Sequence, residues 1–399
     1  MLTDTVILQQ RFKDAIAFFW GVIVMLLKGA AAMSTGFVCH EKYMWHDTGS
    51  AGMFLPAVGH IQPFEHVESP ESKRRIRNLM EVTTLIDNLV LIKPRKATHE
   101  EILRYHTADY ITRLEAMSTE RGGDAGMSTP FAAGGFDIAL LSAGGVLAAA
   151  EAIVDGKVDN AYALVRPPGH HAEADIGKGF CLLANAVLAI KHVQITRGVG
   201  RVAVVDYDVH HGNGTEQAFY ENSEVLTISI HQDNCFPPDS GAIQDVGRDR
   251  GEGYNINVPL PPGSGREAYR AVFERVVRPA VRAFTPDLIV VPSGFDAGGV
   301  DPLGRMMLSS QSYRDITAEM KNLAVELCGG RLLFTHEGGY APVHVPFCAN
   351  AVIEELCGLK PIAEDPFVDF LEGMGGHQLY PHQENIINEA AQLAANIEK

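Results

Sequence analysis

No two of the six cysteines form a C-x-x-C pair, and Cys39, Cys181, Cys235, Cys328, Cys348 and Cys357 are widely spaced. That excludes a cysteine-type zinc module and a dense disulfide framework, and a reducing compartment fits the chain best. Positive charge is also scarce: 33 Lys and Arg stand against 49 Asp and Glu, a net charge of −16. Binding driven by phosphate attraction is therefore excluded as a primary role, whereas a cationic partner would be drawn in. The apolar run of residues 15–27, between Asp14 and Lys28, falls short of the ~20 residues a membrane span needs, so no stable membrane association is expected. A G-x-S-x-G elbow, a P-loop and an H-E-x-x-H helix are absent, and Gly212-Asn213-Gly214 is not followed by the third glycine of a dinucleotide fingerprint. Serine-nucleophile chemistry has no support.

What is present is an ordinary globular composition, 46% hydrophobic and 21% charged over 399 residues, enough for at least one large core. Beyond Phe37 no Ser/Pro linker, long repeat or like-charge block divides the chain, so one compact domain is expected. Residues 161–165, 201–206, 225–230, 287–292 and 331–335 read as short buried strands. Helical patterns cover 138–151, 182–192, 267–284, 311–327 and 349–356, with a surface helix over 384–398. Strands buried on both faces and separated by helices predict a parallel α/β sheet with right-handed crossovers. Ahead of this domain, Arg11 and Lys13 precede the apolar run and Ala30-Ala31-Ala32 follows it, a signal-peptide pattern that Asp4 and Asp14 oppose. The favoured reading makes Met33 the start and residues 1–32 an upstream extension. Localisation is then cytoplasmic, with export the alternative.

In an open parallel sheet the ligand crevice lies outside the carboxyl ends of the strands. Four of the five strands are followed by polar clusters there: Arg166-Pro167-Pro168-Gly169-His170-His171, Asp206-Tyr207-Asp208-Val209-His210-His211-Gly212-Asn213, Ser293-Gly294-Phe295-Asp296 and His336-Glu337-Gly338-Gly339-Tyr340. Asp206, Asp208 and His210 fall on every second residue, so an extended chain projects them to one side. Two such donors with a carboxylate such as Asp296 make the three-ligand set of a catalytic zinc that keeps one position open. Spacing alone does not choose between Asp206 and Asp208, or between His210 and His211. His170 and His171, held by a rigid Pro-Pro-Gly turn, have the chemistry of a general base and acid, with Asp206 and Asn213 as orienting partners. Tyr340 follows two glycines and can donate a hydrogen bond to a developing oxyanion. Phe180 and Phe236 can line an apolar channel. Arg166 and Glu337 read as loop-holding partners.

Together and in this order, the four clusters resemble the histone deacetylase and acetylpolyamine amidohydrolase family, its class II branch in particular, over about residues 37–360. The resemblance implies the arginase/deacetylase fold: a single three-layer α/β/α domain with a parallel sheet of about eight strands, here residues 33–375 followed by a helical tail over 376–399. It implies zinc-dependent removal of acetyl groups from amines, with acetylated lysine peptides or acetylated polyamines as substrates, and a non-catalytic acetyl-lysine-binding module as a remoter reading. Asp208, His210 and Asp296 match the zinc ligands. His170 and His171 match the tandem catalytic histidines, and Tyr340 the transition-state tyrosine. Asp206 matches the acid that orients His170, and Asn213 stands where class II members carry Asn and class I members Asp. Gly179, Phe180, Phe236, Gly338 and Gly339 match channel positions. A structural potassium is implied at Asp206, Asp208, His210, Ser229 and Ile230, and a second near Phe219, Asn222, Val225 and Tyr254. Residues 40–70, with Trp45-His46-Asp47, resemble the entrance region of bacterial deacetylase-like amidohydrolases, and a homo-oligomer is expected.

Overall fold

The computed structural model describes residues 33–397. Eight strands form one sheet, numbered here in chain order: β1 (Thr35–Val38), β2 (Leu89–Ile92), β3 (Asn160–Ala163), β4 (Val202–Asp206), β5 (Val225–Gln232), β6 (Asn255–Leu260), β7 (Leu288–Ser293) and β8 (Leu332–His336). Their spatial order is β6-β5-β4-β7-β8-β3-β1-β2, and every pairing is parallel. The five strands expected from the sequence are all present with ends shifted by one or two residues. The three others lacked a clear pattern. β1 and β2 are four residues each, and β6 reads NINVPL, with polar Asn255 and Asn257 and with Pro259, a residue tolerated at a sheet edge.

Helices cover both faces, so the sheet is buried between two apolar layers. Along β4, Ala203 and Val205 face one core with Tyr162 and Phe334, while Val202 and Val204 face the other with Ala161 and Leu333. The helix Gly135–Val154 is long and apolar enough to cross a membrane, yet most of it is buried inside the protein. It approaches the chain at Arg95 so closely that a Cβ on Gly144 would lie 1.9 Å from the Arg95 carbonyl oxygen.

The single helix expected over 267–284 is interrupted: Arg266–Val272 and Arg278–Phe284 are α-helical, and Phe273–Val277 is a π-turn. Pro279, near the start of the second piece, cannot donate to the ladder, and the wider turn accommodates that loss. The helix expected from 182 begins at Asn185 instead: Ala184 before it is non-helical, with φ −77° and ψ 74°, and its N–H donates to His106 Nε2 at 3.0 Å. The C-terminal helix is Pro381–Ala395, with Ile387, Ala390 and Ala394 turned into the core. The expectations for residues 1–32 lie outside the described residues.

Candidate metal and catalytic site

β4, β7, β8 and β3 are consecutive neighbours in the sheet, so the four polar loops that follow them emerge side by side at the carboxyl edge. Asp208 and His210 follow β4, and Asp296 follows β7. Their donor atoms lie within 4.8 Å of one another, and all three residues are buried. His210 Nδ1 is 3.0 Å from Asp208 Oδ1 and 3.1 Å from Asp296 Oδ2. Each carboxylate is steadied by a backbone donor: Gly338 N–H donates to Asp208 Oδ2 at 2.8 Å, and Val209 N–H to Asp296 Oδ1 at 2.9 Å. Asp296 Oδ2, although near His210, has no well-directed hydrogen bond. Two buried carboxylates face each other with an unsatisfied oxygen between them, an arrangement that is costly without a cation. One imidazole and two carboxylates suit Zn2+, so the donor set fits the metal implied by the sequence.

The two alternatives that spacing left open are resolved by partners. Asp206 turns to His170, whose Nδ1 is 3.0 Å from its Oδ2. His211 points away from the cluster, with Nδ1 2.6 Å from Ser240 Oγ and Nε2 3.2 Å from Glu216 Oε2. His170 and His171 lie with ring centroids 3.9 Å apart. His171 Nδ1 is 2.8 Å from Asn213 Oδ1, and the Asn213 amide nitrogen donates to Glu173 Oε1 at 2.7 Å, which fixes the amide with its oxygen toward His171. Glu337 holds the turn that carries both imidazoles: its Oε2 accepts from Gly169 N–H at 2.7 Å and His170 N–H at 3.0 Å. Above them a cavity of about 150 Å³ opens between Phe180 and Phe236, with His171, His210 and Tyr340 at its floor. Gly179 lies in its wall with φ +49°, where a Cβ would come 2.3 Å from His171 Cδ2.

Comparisons with known proteins agree with this geometry. The family model described as Histone deacetylase domain matches residues 66–356. The chain belongs to the histone deacetylase family. It is 48% identical over 341 residues to a histone deacetylase-like amidohydrolase of Pseudomonas aeruginosa, covering 85% of this chain and 90% of that protein. It is 37% identical over 344 residues to histone deacetylase 8 of Arabidopsis thaliana, covering 84% and 90%. A crystal structure of the HDA15 HD domain superposes with a TM-score of 0.76 at 31% identity, over 90% of this chain and 95% of that one. The three-layer α/β fold, the hydrolase class and the deacetylase or amidohydrolase activity go with that membership.

In this member the tandem histidines are electrostatically unequal. Burial opposes charge on His170, but Asp208 and Asp206 outweigh it and hold the imidazole up at about 10. Burial, together with positive charge on His170 and His210, pushes His171 well below its ordinary value. Burial and the Asp208 carboxylate raise Asp296 to about 6, as expected for one of two close, like-charged groups.

Of the positions given to potassium, Asp206 pairs in register with Ser229, which Ile230 follows, while Asp208 and His210 turn to Asp296. Ser229 Oγ there lies 2.9 Å from His231 Nδ1. Phe219, Asn222, Val225 and Tyr254 surround the turn after the short helix Asn213–Phe219, where Asn222 N–H donates to the Phe219 carbonyl and Thr227 N–H to that of Tyr254. A surface depression of about 580 Å³ is open and lined by Tyr220, Glu221, Asn222 and Arg248, away from the histidine pair.

Sequence reasoning did not find Glu68 and Lys73. Arg166, a loop-holder by expectation, is fully buried and grips Glu68 at 2.9 Å and 3.0 Å from Nε, while its NH1 donates to the His46 carbonyl at 2.5 Å. Lys73 Nζ completes the cluster 3.0 Å from Glu68 Oε1. These bonds fasten residues 43–73 to the site, and the charge of Arg166 beside a strand end was the one signal pointing to a buried partner. The cavity rim formed by Phe54, Ser128, Cys235 and Leu303 was not foreseen either, since it is assembled from separate loops.

Proposed function

We propose that this protein is a zinc-dependent deacetylase that hydrolyses the amide of N-acetylated amines, acetyl-lysine side chains of proteins or peptides, to acetate and the free amine. The observation that carries the reading is a buried Asp208–His210–Asp296 donor set at the floor of a narrow apolar channel beside two partnered imidazoles. Zn2+ held by those three residues would supply Lewis acidity, polarising the acetyl carbonyl and making water more acidic. Neutral His171, its Nδ1 engaged by Asn213, presents Nε2 as the base that takes a proton and later returns one to the leaving amine. His170, its Nδ1 held by Asp206, is oriented beside His171. Tyr340 donates its hydroxyl hydrogen to the developing oxyanion. A structural potassium on the Asp206, Asp208, His210, Ser229 and Ile230 segment belongs to the same proposal, supported by the Asp206–Ser229 register.

The channel favours acetyl-lysine over an acetylated polyamine. Its walls and rim are Phe180, Phe236, Phe54, Ser128, Cys235 and Leu303, with no carboxylate among them. A polymethylene stem loses little by burial there, whereas a polyamine's second ammonium would be desolvated without a partner. The test compares kcat/KM on an acetyl-lysine peptide and on acetylated putrescine with metal-defined protein. A higher value for the peptide is expected, and preference for the polyamine would reverse the substrate assignment. Chelation should abolish activity and added zinc restore it; failure of zinc to restore it would remove the metal from the proposal.

A further inference from the structure

Tyr340 ends a stretch that has no side chains of its own to anchor it. A Cβ on Gly338 would lie 1.9 Å from Asp296 Oδ2, and Gly339 adopts φ +125°, so neither position admits a larger residue. The Tyr340 ring meets Phe180 edge-on, centroids 5.7 Å apart, and Lys73 Nζ lies 5.7 Å from its centre. Those contacts orient the ring but do not set the position of the backbone that carries it.

Gly338 is tied to Asp208 and Phe295, and at Tyr340 itself the backbone is held by Asp301. Its Oδ2 accepts the Tyr340 N–H at 2.7 Å, and its Oδ1 accepts the Leu303 N–H at 2.9 Å. Asp301 is 7% exposed and lies on the loop that continues from Asp296. Both of these hydrogen-bond partners are backbone amides rather than a cation, and both amides belong to residues of the same cavity, Tyr340 at its floor and Leu303 at its rim. A buried carboxyl group whose two oxygens each accept a backbone N–H is a rigid linker, because both bonds are short and directional.

We infer that Asp301 is a positioning residue: one carboxylate fixes the Tyr340 backbone and the Leu303 rim relative to each other, placing the tyrosine hydroxyl at the reacting carbonyl. The inference rests on the deacetylase reading above. An oxyanion donor acts over a short range, and a displacement of ~1 Å can cost about 10²-fold in rate.

The experiment is a double-mutant cycle with Asp301→Asn and Tyr340→Phe in zinc-loaded, full-length protein. It is read by kcat and KM on an acetyl-lysine peptide, bound zinc per chain and melting temperature. Asp301→Asn keeps the shape but replaces one acceptor with a donor, so one of the two N–H groups loses its partner. Expected is a fall in kcat of about 10- to 100-fold with KM and zinc content within about twofold of the parent. In the Tyr340→Phe background the same change should cost no more than about twofold, because the hydroxyl it positions is already gone. Asp301→Ser, too short to reach the two N–H groups, is carried in parallel in case the asparagine variant does not fold, and should show at least as large a loss with the same dependence on Tyr340. Equal losses in both backgrounds, loss of zinc or an unchanged kcat would each overturn the inference. If Tyr340→Phe alone left kcat unchanged, the proposed role of Tyr340 would fall first.

Discussion

At the scale of single residues, His170 and His171 show how partners make unlike groups out of like ones. Both were legible in the sequence, as were Asp206 and Asn213, because each loop directly follows a recognisable strand. Their inequality was not legible: it arises from the field of Asp206 and Asp208 on one ring and of two neighbouring imidazoles on the other. Likewise His210 and His211 are indistinguishable by spacing, and only the Ser240 and Glu216 contacts turn the second away. Gly179 belongs to this scale too. With φ +49° and His171 2.3 Å from where a Cβ would sit, Gly179→Ala should strain the wall and displace the imidazole. The expected outcome is a fall in kcat/KM of about 10²-fold in protein that still folds and still binds zinc. Wild-type kcat/KM in that variant would show that the wall tolerates the methyl group.

Elements follow local rules until a neighbour comes too close. The helix Gly135–Val154 contains Gly144 in its interior, where propensity favours alanine by about 1 kcal/mol. Tertiary packing reverses the sign, since the added Cβ would lie 1.9 Å from the Arg95 carbonyl and 2.6 Å from the Ala97 nitrogen. Gly144→Ala is therefore expected to destabilise by about 1–3 kcal/mol, measured by denaturant unfolding. A gain in stability would mean that residues 95–97 yield freely. The interrupted helix 266–284 has a local origin instead, Pro279 at the start of its second piece. Hydrophobic period runs through this helix and the one starting at Asn185 in the sequence, but it carries no signature of the π-turn or of the non-helical Ala184.

For the whole molecule, the Glu68–Arg166–Lys73 cluster ties the entrance segment to the strand edge. Burial alone would raise the Glu68 carboxyl, but Arg166 and Lys73 hold it well below the ordinary range. Because its folded value is depressed, the stability it contributes is complete above the unfolded value of ~4.3 and is lost as pH falls below that. Glu68→Gln leaves two buried cations without a carboxylate. It should cost about 3–5 kcal/mol at neutral pH and flatten the stability–pH profile below about pH 4.3. Melting curves across acid pH check this, and parallel profiles for the two proteins would refute it. By itself the sequence determined the fold class and five of the eight strands, and it named the side chains that meet at the carboxyl edge, because hydrophobic period and donor chemistry are written locally. The order β4-β7-β8-β3 was decided only in the tertiary structure. That order makes neighbours of loops far apart in the chain, sets the channel rim and selects which aspartate and which histidine join Asp296 in the buried donor cluster. Those outcomes depend on which surfaces pack and which buried groups find partners, and such contacts carry no local signature.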